Sequence, residues 1–301
     1  MKLAYLSILL LSIVAADLTC SGNEVYVKVT KQSKAWASEE SYEIWGNGQK
    51  LAQSPSFPNN ELCETEFCVA ATSNNQYTLK MKDSFGDSWY SGSWVMLEGI
   101  YGNVVFKGFL TDNSLEEYPI SLYYGIMKEA QWKMVSGSVS GTWTQYNYSD
   151  STWTQVTLGS VTETTSGPQY FRKQFSGLSG MAAYEFGLNY GYGIVAYING
   201  NEILRDNMPE GPITSSTLAS GSYTAVEYHS FIRPAAEVAN SQSVLAVEIH
   251  FLASGQTFVD FDAFLAIYAS STKTGEESCY VYPYAVTLTA SQGSNPANIF
   301  D

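Results

Sequence analysis

The sequence predicts an all-β protein built from tandem antiparallel β-sandwiches. From Glu24 onward, short runs alternate apolar and polar residues, which is the period-two pattern of a strand with one buried face. Turn-forming clusters such as GNGQ and SPSFPNN separate these runs, and no long segment has a helical period. The first series of runs contains EVYVKVTK, SYEIW, QYTLKMKD and SWVMLEG.

A second series of strand-like runs begins near Ile126. Within it, GIVAYI and NEILR flank Asn199-Gly200, a dipeptide that favours a two-residue type I′ hairpin because both turn residues need a positive φ. The chain must then leave the strand at NMPEGP, since neither Pro209 nor Pro212 can donate a hydrogen bond to a neighbouring strand. The other runs include QWKMVSG, TWTQVTLG, QYFRKQF, AAYEFGLNY, SVLAVEIHF and AFLAIYAS.

The amino-terminal segment has the pattern of a cleaved secretory signal, with a basic Lys2, an apolar run and small residues ahead of Asp17. We therefore expect a secreted protein, and no later stretch approaches the ~20 apolar residues of a transmembrane helix. A β-prone run follows the hydrophilic SSTKTGEES, so we expect the chain to end inside a further module. The predicted units are a signal peptide at 1–16, a β-sandwich at 17–125, a second sandwich at 126–272, and a linker with an incomplete third module at 273–301.

The charge balance argues against some classes of partner. The 301 residues include 15 Lys and Arg against 29 Asp and Glu, which gives a formal net charge of −14. Since phosphate backbones are bound mainly by clustered Lys and Arg, we expect no nucleic-acid partner, and an anionic membrane surface is disfavoured. The excess carboxylates allow two interpretations, namely binding of divalent cations or simple solubility.

Four cysteines are present, and export would permit them to form disulfides. Cys63 and Cys68 lie close together in CETEFC, so we expect them to form a short-range disulfide that pins a turn. A zinc site would need further Cys or His nearby, and the sequence has none there. Cys279 is expected to pair beyond Asp301 or, alternatively, with Cys20.

The stretch from Asp83 to Trp94 reads DSFGDSWYSGSW. It resembles the DSxGDGW-type repeat of extracellular β-sandwich modules, in which the motif lies between two strands and a Cys pair lies shortly upstream. Residues 24–122 follow that order, with Ser88 where the repeat usually has Gly. The resemblance implies an extracellular β-sandwich for the first unit.

The second unit resembles a galactose-binding-like jelly roll. YFRKQF, IVAYINGNEILRDNMPEGPIT, SVLAVEIHF and FDAFLAIY occur in the order of that module, and the resemblance runs from Gln131 to Ala269. Such modules are often appended to secreted metallophosphatases and other surface proteins, and the fold name alone does not imply galactose binding. The ending SNPANIFD is similar to the opening of a discoidin-like module.

Acidic residues around the DSFGDSW motif predict a calcium site. Asp83 and Asp87 flank Gly86 in a tight turn, and Glu39 or Glu40 precedes an earlier strand. Hard oxygen ligands gathered from two loops suit Ca²⁺. The alternative is an Asx-type turn in which both aspartates accept backbone N–H bonds without a metal.

Aromatic residues near the same motif are candidates for ligand binding. Trp89 and Tyr90, together with Trp36 and Trp94, suit a platform for sugar rings. The alternative is that Trp89 and Trp94 fill the core of the sandwich, where large aromatic side chains dominate.

The second unit offers two further candidate ligand-binding residues and a modification site. Arg205 and Asn207 are placed to hydrogen-bond a glycan, while the alternative for Arg205 is bracing of the loop that follows it. Asn147, in the sequon NYS, is the predicted glycosylation site.

No constellation of residues predicts catalysis. The two histidines are His229 and His250, and we expect Glu248 and His250 to form a solvent-facing pair on one strand. Asp260 and Asp262 share one strand face, but the resemblance places that strand in a non-catalytic sandwich. We therefore expect no enzyme activity from this chain.

The predicted function is non-catalytic extracellular recognition, of an adhesive or matrix type, with glycans or extracellular proteins as partners. Two alternatives remain at this point. The chain is either the accessory part of a secreted hydrolase or phosphatase whose catalytic domain is missing, or a structural subunit of an extracellular coat or filament. Self-association of the purified chain would favour the second.

Overall fold

Every regular element that the structure describes is a β-strand. The computed structural model describes residues 18–72, 76–111, 114–159, 167–177, 181–223, 227–235, 242–253 and 261–269. The predicted fold class, all-β with tandem antiparallel sandwiches, is confirmed. Our predictions for the signal segment, for residues 273–301, for Cys279 and for Asp260 fall outside the described residues. None of the described segments is an apolar helix long enough to cross a membrane.

The first sandwich consists of two four-stranded antiparallel sheets, ordered β4-β1-β6-β7 and β3-β2-β5-β8. Alternate side chains of these strands point inward, so that Val27, Ile44, Leu79 and Leu97 are fully buried in one core. The strands are β1 (Glu24–Gln32), β2 (Glu40–Gly46), β3 (Gln49–Gln53), β4 (Leu62–Ala70), β5 (Gln76–Asp83), β6 (Trp94–Glu98), β7 (Val104–Gly108) and β8 (Leu115–Ser121).

The second sandwich packs a six-stranded sheet, ordered β11-β10-β12-β17-β14-β15, against a four-stranded sheet, ordered β16-β13-β18-β9. Phe171, Phe186, Leu245 and Leu265 belong to the core between them. The strands are β9 (Tyr123–Ile126), β10 (Gln131–Ser136), β11 (Thr154–Thr157), β12 (Gln169–Ser176), β13 (Met181–Tyr190), β14 (Gly193–Ile198), β15 (Asn201–Asp206), β16 (Tyr228–Pro234), β17 (Gln242–His250) and β18 (Phe261–Ala269).

The outer face of the six-stranded sheet is also covered, which explains why β17 is buried along nearly its whole length. A loop at 137–153 places Trp143 and Trp153 against Tyr170 and Ala246. A second segment, residues 207–223, here called the strap, packs Met208 and Ala219 on Val195 of β14. The strap is tied down by backbone hydrogen bonds, among them Ala219 N–H to the Phe251 carbonyl at 2.8 Å.

The predicted hairpin between β14 and β15 is present. Asn199 and Gly200 have φ angles of 49° and 90°, and Ile198 is paired with Asn201, so that the loop has two residues. Only residues that tolerate a left-handed backbone suit both positions of such a turn.

The predicted Cys63–Cys68 disulfide is wrong. Both cysteines lie on β4, five residues apart, and an odd separation along a strand places the two side chains on opposite faces. Their Cα atoms are then roughly 16 Å apart, well beyond the ~7 Å that a disulfide can span. Instead, Cys20 is bonded to Cys68, which also excludes the alternative Cys20–Cys279 pairing, and Cys63 is a free thiol at the edge of the first core.

The two sandwiches meet at the outer face of the β16-β13-β18-β9 sheet. Phe264 and Tyr268 of β18 form a buried cluster there with Tyr101 from the β6–β7 turn and Tyr124 of β9. The boundary that we predicted between residues 125 and 126 falls inside β9, which pairs with β18.

Candidate functional site

One end of the first sandwich, here called the apex, is formed by loops that pass between its two sheets. These loops gather at one end because the end of β1 is paired with the start of β6, and the start of β2 with the end of β5. The same holds for β4, which begins beside the end of β1, and for β7, which ends beside the start of β6. The apex comprises residues 33–39, 54–61, 84–93 and 109–111.

Three carboxylates converge at the apex: Glu39, Asp83 and Asp87, here called the acidic triad. One oxygen from each lies within 4.8 Å of the others. Asp83 is buried and accepts a hydrogen bond from the Gly86 N–H at 2.5 Å, which is the Asp83 half of the Asx-type turn that we weighed against a metal. The Ser84 N–H donates to the Glu39 carbonyl at 3.0 Å, which holds the two loops together.

The carboxylate oxygens of the triad are close enough to one another to contact a single cation. Ca²⁺ binds carboxylate oxygens at about 2.3–2.6 Å, so oxygens on one ion are separated by up to about 5 Å. The separation within the acidic triad is inside that limit. None of the three carboxylates forms an ion pair with another described residue.

Glu40, which we offered as an alternative ligand to Glu39, is not part of the triad. Its carboxylate is buried in an ion pair with Lys31, and its second oxygen accepts the Tyr90 N–H at 3.1 Å. Adjacent residues at the start of a strand point to opposite faces, which directs Glu39 toward the loops and Glu40 into the sandwich. Burial lowers the pKa of Lys31, while the hydrogen bond and charge of Glu40 oppose that shift.

The assignment of Trp89 as a ligand-binding residue is wrong. Its side chain is buried, its indole N–H donates to the Lys82 carbonyl at 2.8 Å, and its ring lies 4.2 Å from the Lys31 ammonium. The sequence left this open, because a tryptophan in a turn is equally suited to solvent and to the end of a core. Here it closes the core beneath the apex.

Exposed aromatic rings lie on the same loops of the apex. The exposed fractions are 66% for Trp36, 76% for Phe85, 50% for Tyr90 and 52% for Phe109. The Glu39 N–H donates to the Trp36 carbonyl, and the Tyr90 N–H donates to Glu40, the neighbour of Glu39. Phe85 lies between Asp83 and Asp87 in the sequence. Phe85 and Phe109 were missed from sequence, because the sequence does not show which aromatic residue of a loop turns outward; Trp89, four residues after Phe85, is buried.

The turn also shows how Ser88 substitutes for the glycine of the repeat. Ser88 adopts a φ of 86°, a left-handed conformation that costs a non-glycine residue free energy. Its hydroxyl donates to the Leu110 carbonyl at 2.9 Å, which ties residues 84–93 to the neighbouring loop. The turn is therefore retained without the glycine.

The candidate ligand-binding residues of the second sandwich serve its architecture. Arg205 binds Glu202 through two hydrogen bonds of 2.8 and 2.7 Å and donates to the carbonyls of Pro209 and Gly211. The alternative role that we considered for Arg205, bracing the loop, is the one observed. Asn207 opens the strap with a φ of 52°, and its carbonyl accepts the Ser220 N–H at 2.8 Å.

Glu248 and His250 do not face solvent, which corrects our expectation. Both are buried, because the strap covers this part of β17. His250 Nδ1 lies 2.8 Å from the Thr217 carbonyl, and Nε2 lies 3.2 Å from Glu248 Oε2. The Tyr197 hydroxyl donates to Glu248 Oε1 at 2.6 Å, and burial together with this carboxylate raises the pKa of Tyr197.

The remaining polar candidates also have structural partners. His229 stacks on Tyr223, with 4.2 Å between ring centroids, and Asp262 is buried and accepts hydrogen bonds from Tyr228 and the Glu129 N–H. Asn147 is exposed in the 137–153 loop, so its glycosylation stays a prediction.

No family model and no curated protein matches the chain. Solved structures similar to parts of it include a family 35 carbohydrate-binding module from Clostridium thermocellum, at 12% identity and a TM-score of 0.25, covering 49% of this chain and 99% of that one. They also include a lectin from Pleurotus ostreatus in complex with GalNAc, at 11% identity and a TM-score of 0.31, covering 83% and 70%. A β-glycosidase from Bacteroides vulgatus has 13% identity and a TM-score of 0.31, covering 48% of this chain but only 20% of that one. Similarities this weak carry no argument about function.

Proposed function

We propose that the protein is a secreted, non-catalytic recognition protein that binds glycans at the apex. The observation that carries the proposal is the set of exposed rings of Trp36, Phe85 and Tyr90 on the loops that hold the acidic triad. Large exposed aromatic side chains grouped at one end of a domain mark a binding surface. A sugar packs its C–H face on such rings while its hydroxyls meet polar groups at the rim.

Two further observations support the proposal. The Cys20–Cys68 disulfide suits an oxidising, extracellular compartment. Glu248 and His250 are an acid and a base that are close together in the sequence. Both are buried beneath the strap and hydrogen-bonded there. That placement favours a structural role for the pair.

Glycan binding is tested by screening the purified chain on a glycan array. We expect binding to selected glycans, and we expect the variants Trp36→Ala and Tyr90→Ala each to weaken it by roughly tenfold or more, as the loss of a central aromatic contact does. Leu218→Ala is the matched control, because Leu218 is exposed to a similar degree on the second sandwich. An array with no bound glycan, or equal binding by apex and control variants, contradicts the proposal.

We further propose that Glu39, Asp83 and Asp87 hold Ca²⁺ at the apex, where the ion would offer additional coordination to sugar hydroxyls. Calcium that binds only the folded chain should stabilise it by about 2.7 kcal/mol at 100 times Kd. We expect a chelator to lower the melting temperature of wild-type protein and to have no effect on Asp87→Asn.

Glu64→Gln serves as the control for the calcium experiment, since Glu64 is an exposed acid paired with Lys28 outside the triad. This variant should respond to calcium and chelator as the wild type does. If chelator leaves the wild-type melting temperature unchanged, the acidic residues form only the Asx-type turn. Because sugar binding is measured separately, loss of the calcium proposal leaves the glycan proposal standing.

A further inference from the structure

An aromatic cage lies at the junction of the two sandwiches, far from the features that carry the proposed function. The ammonium of Lys128 lies 3.8 Å from the ring centroid of Tyr228, 4.5 Å from that of Tyr101 and 5.3 Å from that of Phe264. Tyr101 comes from the β6–β7 turn of the first sandwich, whereas Tyr228 and Phe264 lie on β16 and β18 of the second. Three ring faces within about 6 Å of one cation form a cage for an ammonium group.

The rings of the cage are held in place by one another and by Lys128 itself. Tyr101 and Phe264 have centroids 5.2 Å apart, and Tyr228 and Phe264 are 5.7 Å apart. The Lys128 backbone N–H donates to the Tyr101 hydroxyl at 3.0 Å. The same residue therefore binds the first sandwich through its backbone and both sandwiches through its side chain.

Carboxylates supply the counter-charge of the cage. Asp262 is buried and accepts the Tyr228 hydroxyl at 2.5 Å and the Glu129 N–H at 3.0 Å. Burial lowers the pKa of Lys128, and the nearby charges of Asp262 and Glu129 oppose that shift. Partial removal of water from a cation is the condition under which ring faces attract it most strongly.

A second set of contacts closes the rest of the junction without a cation. The Tyr124 hydroxyl donates to Asn103, the Asn103 amide donates to the Tyr268 hydroxyl at 3.3 Å, and Tyr268 donates to Glu185. This chain of hydrogen bonds orients the two surfaces. The Lys128 side chain contacts aromatic rings of both sandwiches.

We infer that the junction contains an ammonium-binding cage whose resident ligand is Lys128, and that the occupied cage pins the two sandwiches at a fixed angle. The apex lies at the opposite end of the first sandwich from the β6–β7 turn, so the pinned junction presents the apex away from the second sandwich. Removal of the lysine side chain leaves a cage that accepts a free alkylammonium ion.

The experiment is chemical rescue in the full chain. Lys128→Ala should melt about 2–4 °C below wild type, as the loss of one desolvated cation–π contact predicts for a protein of this size. We expect n-propylammonium to restore the melting temperature of Lys128→Ala while leaving the wild type unchanged. Neutral n-propanol at the same concentration should restore nothing.

Lys107→Ala is the matched control, because Lys107 lies over the single ring of Trp94 within the first sandwich, 4.6 Å from its centroid. This variant should not respond to n-propylammonium. If Lys128→Ala does not fold, Lys128→Gln takes its place with the same expected rescue. Equal melting of wild type and variant, or an equal effect of the ammonium ion on both, overturns the inference.

Discussion

At the scale of single residues, burial decides what each polar side chain of the apex can do. Glu39 and Glu40 are neighbours in sequence, yet the first joins the acidic triad and the second is enclosed with Lys31. Both side chains of the Lys31–Glu40 pair are 1% exposed. A pair this deeply buried gains strong attraction but gives up the hydration of both charges, so each partner depends on the other.

Glu40→Gln should therefore lower the free energy of unfolding by about 3–5 kcal/mol, because it leaves the Lys31 ammonium buried without its counter-ion. The double variant Lys31→Met, Glu40→Met should cost less, since the unpaired charge is gone; the Tyr90 N–H loses its acceptor and the Gln32 carbonyl loses the Lys31 donor. Urea unfolding of the three proteins measures both values. Glu64→Gln, which breaks the exposed pair with Lys28, is the control at about 0–1 kcal/mol. A double variant less stable than Glu40→Gln would show that the pair itself is strongly stabilising.

At the scale of elements, the sequence predicted local features better than contacts between distant segments. The Asn199-Gly200 hairpin and the turn at Asp83–Asp87 depend on a few adjacent residues, and both are present. The partner of Cys68 depends instead on the pairing of β1 with β4, which places Cys68 opposite Tyr26 and near the chain segment that carries Cys20. Short spacing between cysteines is a poor guide when both lie on one strand.

The burial of Glu248 and His250 was unpredictable for a related reason. A strand pattern shows which side chains share a face, but the strap that covers this face comes from residues 207–223, beyond β15 in the chain. The same limit applies to Trp89 and Phe85, which are four residues apart in one loop and differ only in which of them turns inward. Such choices are made by packing against loops that follow no periodic pattern.

Loss of the Cys20–Cys68 bond should destabilise the first sandwich substantially. The bond joins residues 48 apart in sequence, and removal of a cross-link of that size costs about 4 kcal/mol in the chain-entropy model. We expect Cys20→Ser to lower the free energy of unfolding by that amount, whereas Cys63→Ser should change it little because Cys63 is a free thiol. Urea unfolding measures the stability, and peptide mapping without reduction identifies the pairing. A Cys63–Cys68 peptide in the wild-type digest would contradict the structure.

At the scale of the whole molecule, the two sandwiches share a packed junction, in which the first sandwich packs on the outer face of one sheet of the second. Ala183, Phe264 and Ala266 are buried on the outer face of the β16-β13-β18-β9 sheet, where Tyr101 and Val105 of the first sandwich pack on them. The outer face of an antiparallel sheet is ordinarily polar, and its apolar character here follows from this contact. The relative position of the sandwiches is therefore a property of the fold.

Substitution of Gly187, which lies in the sheet that forms this junction, tests the contact between the sandwiches. Gly187 is paired with Phe264 across β13 and β18, and a Cβ at position 187 would lie 1.9 Å from the nearest Phe264 ring atom, too close for any real contact. Gly187→Ala must therefore displace the Phe264 ring, which packs against Tyr101 of the first sandwich. We expect a loss of about 1–3 kcal/mol, the usual cost of overpacking, together with faster hydrogen exchange in the β6–β7 turn of the other sandwich. Gly141→Ala is the matched control, because nothing lies within 4 Å of a Cβ placed there. If the two variants exchange alike in that turn, the ring of Phe264 does not couple the two sandwiches.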